Sequence, residues 1–291
     1  MSNTLKYSRI IAGTMTWGQW GKQHSTTEMI ELMNHCLKNN ITTFDHADIY
    51  GDYSNEADFG KAFSESSIQR QEIQLISKCG IQFNVKDRSN RIKHYDYGKE
   101  YIIWSVERSL NMLQTDYLDL LLLHRPSPLM NPVEIAEAVE ELKKTGKIKQ
   151  FGVSNFTPSQ IQLLEKQVPV AANQVEYSLS SNSVMNDGTL DDCIIHDRLA
   201  MSWSPLGNYF REDSKSTKRI KNVLADMTKK YEATEDQMLL AWIMKHPANI
   251  HLVVGTATPE RLKMAMEAVD IEMELQDWFT LLEANEGHEV A

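Results

Sequence analysis

The chain has 291 residues, with 42% hydrophobic and 24% charged side chains, values that suit a globular protein with a sizeable core and exclude wholesale disorder. Its 30 basic and 40 acidic side chains give a formal charge of −10, which argues against nucleic acid or an anionic membrane as partner while leaving room for a local phosphate pocket. The cysteines, Cys36, Cys79 and Cys193, are too few and scattered for a disulfide framework or a zinc site, and the polar start MSNTLKYSRI lacks the apolar stretch of a signal peptide, so a cytoplasmic location is expected.

Short β-branched or aliphatic runs predict strands over Arg9–Ala12, Thr42–His46, Ile73–Lys78, Leu118–Leu123, Ile148–Val153, Val170–Val175, Ala200–Trp203 and Ile250–Val254. The longest apolar stretch, around Leu118 to Leu123, is far too short to span a bilayer. Helical periods lie between the strands, as in Ile30-Met33-Leu37 and Ile102-Val106-Leu110-Leu113. Asn131-Pro132, Thr157-Pro158 and Thr258-Pro259 each put a capping residue before a first-turn proline, and Gly146 falls where the helix from Pro132 to Lys144 should stop. Eight strand–helix cycles of about 36 residues predict an α/β protein, a (β/α)8 TIM barrel formed by one domain over residues 1–291. An open doubly wound sheet is the competing architecture, but it usually carries a glycine fingerprint after its first strand. Gly13-Thr14-Met15-Thr16-Trp17-Gly18 lacks that spacing. Two stretches exceed the minimal unit, a polar loop over Gly80–Gly98 and another over Asn208–Lys218, and both are expected to overhang the catalytic end.

Four polar residues fall at or just beyond consecutive predicted strand ends: Asp45 and Tyr50 in TTFDHADIYG, Lys78 in QLISKCG and His124 in LLLHRPSP. In a parallel barrel those ends converge on one face. Carbonyl reduction needs a proton for the developing alkoxide, and a tyrosine with an ordinary pKa near ~10 needs a neighbouring cation to serve at neutral pH. A buried lysine provides one and itself needs a carboxylate partner, here Asp45. His124 is placed to orient the carbonyl oxygen. The alternative reading of Asp45-His46-x-Asp48 as metal ligands fails on parity, since His46 and Asp48 would point away from Asp45 along a continued strand. No metal is expected.

The whole chain resembles the aldo-keto reductase family, through the segment Asp45–Tyr50, Lys78, Leu121–His124, GVSNF (Gly152–Phe156), NQVEY (Asn173–Tyr177), WSPLG (Trp203–Gly207) and TPERL (Thr258–Leu262). KCGI, HRPSPLM and the tail DWFTLLEANEGHEVA are similar to the bacterial YdhF-type branch. The resemblance implies NADP(H)-dependent reduction of a small aldehyde or ketone, with NAD(H) less favoured. It implies Tyr50 as proton donor, Lys78 and Asp45 as its tuning pair, and His124 as the carbonyl-orienting group. Ser154, Asn155 and Gln174 are expected at the nicotinamide carboxamide and Trp203 stacked on the ring. Ser204, Leu206, Gly207 and Asn208 are expected beside the pyrophosphate, and Thr256, Thr258 and Arg261 at the 2′-phosphate; Thr16, Trp17 and Asp45 complete the expected cofactor contacts. The chain departs from some relatives in having Gly255 where they carry a lysine, and Met264 and Ala265 where they carry polar residues near the adenine. A reading from a different class is an NADPH-binding, redox-sensing interaction protein on the same barrel with slow turnover, and a third is a barrel metallo-hydrolase using Asp45, His46 and His124. The oligomeric state is left open by the sequence.

Overall fold

The computed structural model describes residues 7–86 and 88–290; residues 1–6, Asp87 and Ala291, on which parts of the sequence reading rest, lie outside the described residues. Eight strands, β1 (Ile10–Gly13), β2 (Thr43–Asp45), β3 (Gln74–Cys79), β6 (Leu118–Leu123), β7 (Ile148–Ser154), β8 (Ala172–Glu176), β9 (Leu199–Trp203) and β10 (His251–Val254), close a barrel in the order β1-β10-β9-β8-β7-β6-β3-β2. Every pairing around the ring is parallel. Each strand lies within about two residues of its expected place, the uncertainty inherent in element ends.

Side-chain alternation divides the apolar residues into two cores. Ile11, Ile76, Leu120, Leu122, Ala172, Met201 and Val253 fill the barrel interior. Their neighbours of opposite parity, among them Ile10, Phe44, Leu75, Leu121, Leu123 and Val153, face the surrounding helices. The interior parity has a direct consequence at the C-terminal rim. Continuing from Ile76 gives Lys78, from Leu122 gives His124, from Ala172 gives Gln174, and from Met201 gives Trp203. The site is the next layer of the packed interior.

The helices are α1 (Thr26–Lys38), a short turn α2 (Tyr50–Tyr53), α3 (Asn55–Glu65), α4 (Lys99–Leu113), α5 (Pro132–Lys144), α6 (Pro158–Glu165), α7 (Thr189–Ile195), α8 (Lys215–Lys230), α9 (Glu235–Met244), α10 (Pro259–Glu267) and α11 (Leu275–Glu286). Asn131 caps α5 through Val133 N, and Thr157 forms a capping box with Gln160 at the start of α6. Gly146, at φ +73°, ends the α5 segment as expected. Thr258 differs: its side chain makes no cap to α10, and its amide instead donates to Thr256 Oγ1 at 3.2 Å. Among the described residues no helix is long and apolar enough to cross a membrane.

The stretch after β3 is more ordered than a polar loop. Ile81–Gln82 and His94–Tyr95 form an antiparallel hairpin, β4 and β5, with Ile81 opposite Tyr95. Strands of two residues carry no readable period. The amide of Asp96 donates to Gly80 O at 2.9 Å and closes the base. After β9 the overhang is shorter than expected, because α8 starts at Lys215 with Ser214 as its cap. At the opposite rim, buried Arg198 bonds Asp192, both oxygens of Glu165 and the carbonyl of Val170, tying α6 and α7 to β9.

Candidate active site

Asp45 ends β2 on the inward parity, and Tyr50 follows across a turn. That turn needs left-handed backbone at Gly51, Asp52 and Tyr53, with φ between 52° and 74°. Asn55, just beyond, donates to the carbonyls of Thr14 and Met15, both at 3.1 Å, so the loops after β1 and β2 are held together.

Lys78, 1% exposed, uses all three ammonium hydrogens: to Asp45 Oδ2 at 2.6 Å, the His46 carbonyl at 2.9 Å and the Tyr50 hydroxyl at 3.1 Å. The other carboxylate oxygen, Asp45 Oδ1, accepts from Gln174 Nε2 at 3.0 Å. Burial works to lower the Lys78 pKa, but Asp45 and Tyr50 outweigh it and hold the ammonium above its ordinary value. Tyr50 is shifted upward: burial of its hydroxyl end dominates, and Lys78, pulling downward, only partly offsets it. A neighbouring cation was expected to tune this phenol; here enclosure wins, and the phenol keeps its proton at neutral pH. His124 faces Tyr50 with ring centroids 6.0 Å apart and planes at 79°. Burial first, then the charges of Lys78, Arg125 and Lys93, push its pKa well below the usual imidazole value, so it is neutral. Its Nδ1 is buried without a partner among the described residues, which favours placing the single ring proton on Nε2.

His46 and Asp48 turn outward, as parity requires. His46 Nδ1 lies 2.9 Å from Thr14 Oγ1 with its ring against Phe59, and Asp48 accepts from Ser105 at 3.0 Å. Among the described residues no group of three or more His, Cys, Asp and Glu side chains is arranged to hold a metal ion.

Around the rim from β7 to β9, Ser154 Oγ donates to Gln174 O at 2.8 Å and accepts from Asn155 Nδ2 at 2.8 Å. Asn155 Oδ1 in turn receives Trp203 Nε1–H at 2.9 Å, fixing the indole at the edge of the opening. Ser204 and Gly207 take positive φ, 54° and 50°, in the turn that follows, and a Cβ on Gly207 would lie 2.1 Å from Ser180 Oγ. Asn208 N donates to the same Ser180 Oγ at 3.1 Å, with half-buried Leu206 between. Across the rim Thr16 Oγ1 donates to Gly255 O at 2.7 Å, tying the loop after β1 to the loop after β10 that carries Thr256, Thr258 and Arg261. Trp17 does not join them. It is 1% exposed, packed edge-on against Phe44 at 6.0 Å and beside Phe59, within the shell between barrel and helices. The expectation of a cofactor contact there is corrected, because the residue has the outward environment of its neighbours in the sheet–helix core.

The indole that does reach the opening is Trp20, three residues on, 38% exposed and 6.2 Å from the Tyr50 ring and 6.0 Å from Phe83. Sequence reasoning missed it, and missed Phe83 and Arg125 as well. The available signal was weak: a large aromatic in a loop at the catalytic rim of a barrel.

The pattern of the Aldo/keto reductase family matches residues 9–286. The chain belongs to this family. It is 38% identical to the uncharacterized oxidoreductase YcsN of Bacillus subtilis over 100% of this chain and 98% of that one. It is 36% identical to the oxidoreductase YdhF of Escherichia coli, covering 98% and 96%, and 36% identical to a 6-dehydroglucose reductase of Agrobacterium fabrum, covering 100% and 98%. An aldo-keto reductase of Klebsiella pneumoniae solved in complex with NADPH superposes with a TM-score of 0.77 at 26% identity, over 96% of this chain and 94% of that one. The YdhF-type branch, the barrel and an oxidoreductase function are thereby established for the chain.

Proposed function

We propose that this aldo/keto reductase reduces aldehyde or ketone carbonyls to alcohols with NADPH, with Tyr50 as proton donor. The observation that carries the reading is the closed set Asp45–Lys78–Tyr50, in which one buried ammonium touches both the carboxylate and the phenol. Trp203 would line the place of a nicotinamide, which when bound would supply the hydride. Tyr50 gives its proton to the alkoxide oxygen as charge develops there, and the Lys78 ammonium, already 3.1 Å from the phenol oxygen, stabilises the tyrosinate left behind. Asp45 keeps that ammonium charged in its enclosed position. Neutral His124 donates from Nε2 to the carbonyl oxygen and fixes its direction. The raised Tyr50 suits reduction, since the proton to be delivered is present throughout the neutral range.

The chain's groups fit a nicotinamide dinucleotide phosphate. Gln174 directs its amide nitrogen to Asp45, leaving its carbonyl oxygen to accept from a carboxamide, while Ser154 and Asn155 line the same edge. Ser204, Leu206, Gly207 and Asn208 lie in a turn closed by Gly207 N donating to Ser204 O at 2.8 Å, and the pyrophosphate is assigned beside it. The uncapped start of α10 leaves first-turn amides free for an anion, and Arg261 projects from that turn, exposed and without an ion-pair partner among the described residues. Thr256 and Thr258 add hydroxyls, so the 2′-phosphate is assigned there and NADP(H) over NAD(H). Gly255, free of neighbours within 4 Å of a notional Cβ, contributes no charge.

The decisive experiment is Tyr50→Phe, which keeps the ring and removes the proton. Turnover is expected to fall by about 10²–10⁴, the usual worth of general acid catalysis, with NADPH affinity nearly unchanged. A folded variant reducing a good substrate at near the parent rate refutes the assignment. The parent's reduction rate is expected to show no inflexion from His124 between about pH 5 and 8, the window in which an ordinary histidine titrates.

A further inference from the structure

The mouth above the Tyr50–His124 pair carries more positive charge than the reaction uses. Arg125, the residue after His124, is half-buried, with its guanidinium carbon 5.3 Å from the centre of the Trp203 ring. Among the described residues its side chain makes no hydrogen bond and no ion pair. Lys93, on the hairpin loop, holds its ammonium 5.2 Å from the centre of the Phe83 ring and is likewise without an ion pair there. Both rings border the opening next to Tyr50: Phe83 through Trp20, and Trp203 as the inward continuation of β9. The charges that lower the His124 pKa are Lys78, Arg125 and Lys93, all cationic, and the carboxylate of Asp45 is already held by Lys78.

The backbone of Arg125 is fixed. The Tyr97 hydroxyl donates to its carbonyl at 2.5 Å and accepts from its amide at 3.2 Å. Tyr97 reaches that position because Gly80 has no side chain: a Cβ there would lie 1.9 Å from Tyr97 Cε1, and φ is +108°. A half-buried guanidinium on a fixed backbone, without a carboxylate partner among the described residues, is left free to take one from a ligand.

We propose that Arg125, supported by Lys93, receives a carboxylate carried by the substrate, so that the preferred substrates are oxo acids whose reacting carbonyl lies at Tyr50 and whose acid group lies at the Arg125 guanidinium. The aromatic walls of Trp20 and Phe83 suit a planar or unsaturated spacer between the two groups. The guanidinium fork matches a carboxylate in two parallel hydrogen bonds. This inference rests on the reading of the site as a carbonyl reductase, which the test separates from it.

The test compares para-carboxybenzaldehyde with its methyl ester as substrates of the NADPH-loaded protein. In the parent the acid is expected to win in kcat/KM by about tenfold or more, the worth of a charge-assisted hydrogen bond, mainly through KM. Arg125→Gln is expected to bring the ratio to about one, and Arg125→Lys to keep part of it. A parallel titration of para-hydroxymethyl benzoate and its methyl ester into the NADPH complex reads binding without turnover. Equal use of acid and ester by the parent, or a preference surviving in folded Arg125→Gln, overturns the proposal. Turnover of both aldehydes without an acid preference leaves the reductase reading standing alone. Absent turnover with acid-selective binding that Arg125→Gln abolishes keeps the carboxylate site and removes the reductase reading. If Arg125→Gln does not fold, the parent ratio and Arg125→Lys still decide.

Discussion

Replacing Lys78 with Met removes one charge and three donors from a buried place, 1% exposed. Asp45 Oδ2 then has no partner, the His46 carbonyl and the Tyr50 hydroxyl each lose a donor, and Gln174 alone remains on the carboxylate. Breaking one side of a buried pair costs about 3–5 kcal/mol, and Asp45 is only 1% exposed, so the full range applies. The assay is urea unfolding followed by far-UV circular dichroism for the parent, Lys78→Met, and Lys78→Met combined with Asp45→Asn. The double variant leaves no buried charge and is expected to recover most of the loss. A deficit below about 1 kcal/mol, or no recovery in the double variant, refutes the picture of Lys78 as the counter-charge of a buried carboxylate.

Arg261→Ala is expected to weaken NADPH binding by about 1.5–3 kcal/mol, the range for a hydrogen bond to a charged group, and to leave NADH nearly untouched; equal losses in calorimetric titrations contradict a 2′-phosphate contact. NADPH binding is expected to quench tryptophan fluorescence, with Trp203→Ala removing most of the quench. Because Trp17 is enclosed, a persisting quench would point to Trp20 instead. Gly80→Ala drives a Cβ into Tyr97 and places alanine at φ +108°. It is expected to lower stability by about 1–3 kcal/mol from overpacking and backbone strain, read from the urea midpoint; an unchanged midpoint would show that Tyr97 moves aside without cost.

The barrel strands were legible because most are short β-branched or aliphatic runs set between segments of helical period, and Leu118–Leu123 coincides with its predicted bounds. Asp45, Lys78 and His124 were legible because charged or polar residues closing apolar strands are anomalous on energetic grounds alone. What escaped depends on side chains meeting across loops. Trp17 and Trp20 occupy one loop with nothing local to say which faces the core; Asn55, bonding back to Thr14 and Met15, sets that choice from outside the segment. The β4–β5 hairpin is too short to have a period, and its seat depends on Tyr53, whose hydroxyl accepts from Phe83 N at 3.0 Å. The upward shift of Tyr50 was also illegible, since enclosure is a property of the folded rim and not of the residue's neighbours in sequence.

The hairpin's closure at its base separates two kinds of change during divergence or engineering. Asp96 N bonds Gly80 O, so the segment from Ile81 to Tyr95 leaves and re-enters the barrel at nearly one point. Lengthening such a closed excursion is inexpensive, since doubling a loop adds only about 0.6 kcal/mol of closure entropy. Phe83 and Lys93 therefore travel on a replaceable cassette, whereas Lys78, just before the hinge glycine, stays with the ring of strands. Exchanging the segment between Gly80 and Asp96 for that of a relative should carry over one wall of the mouth while leaving the proton-delivery set in place.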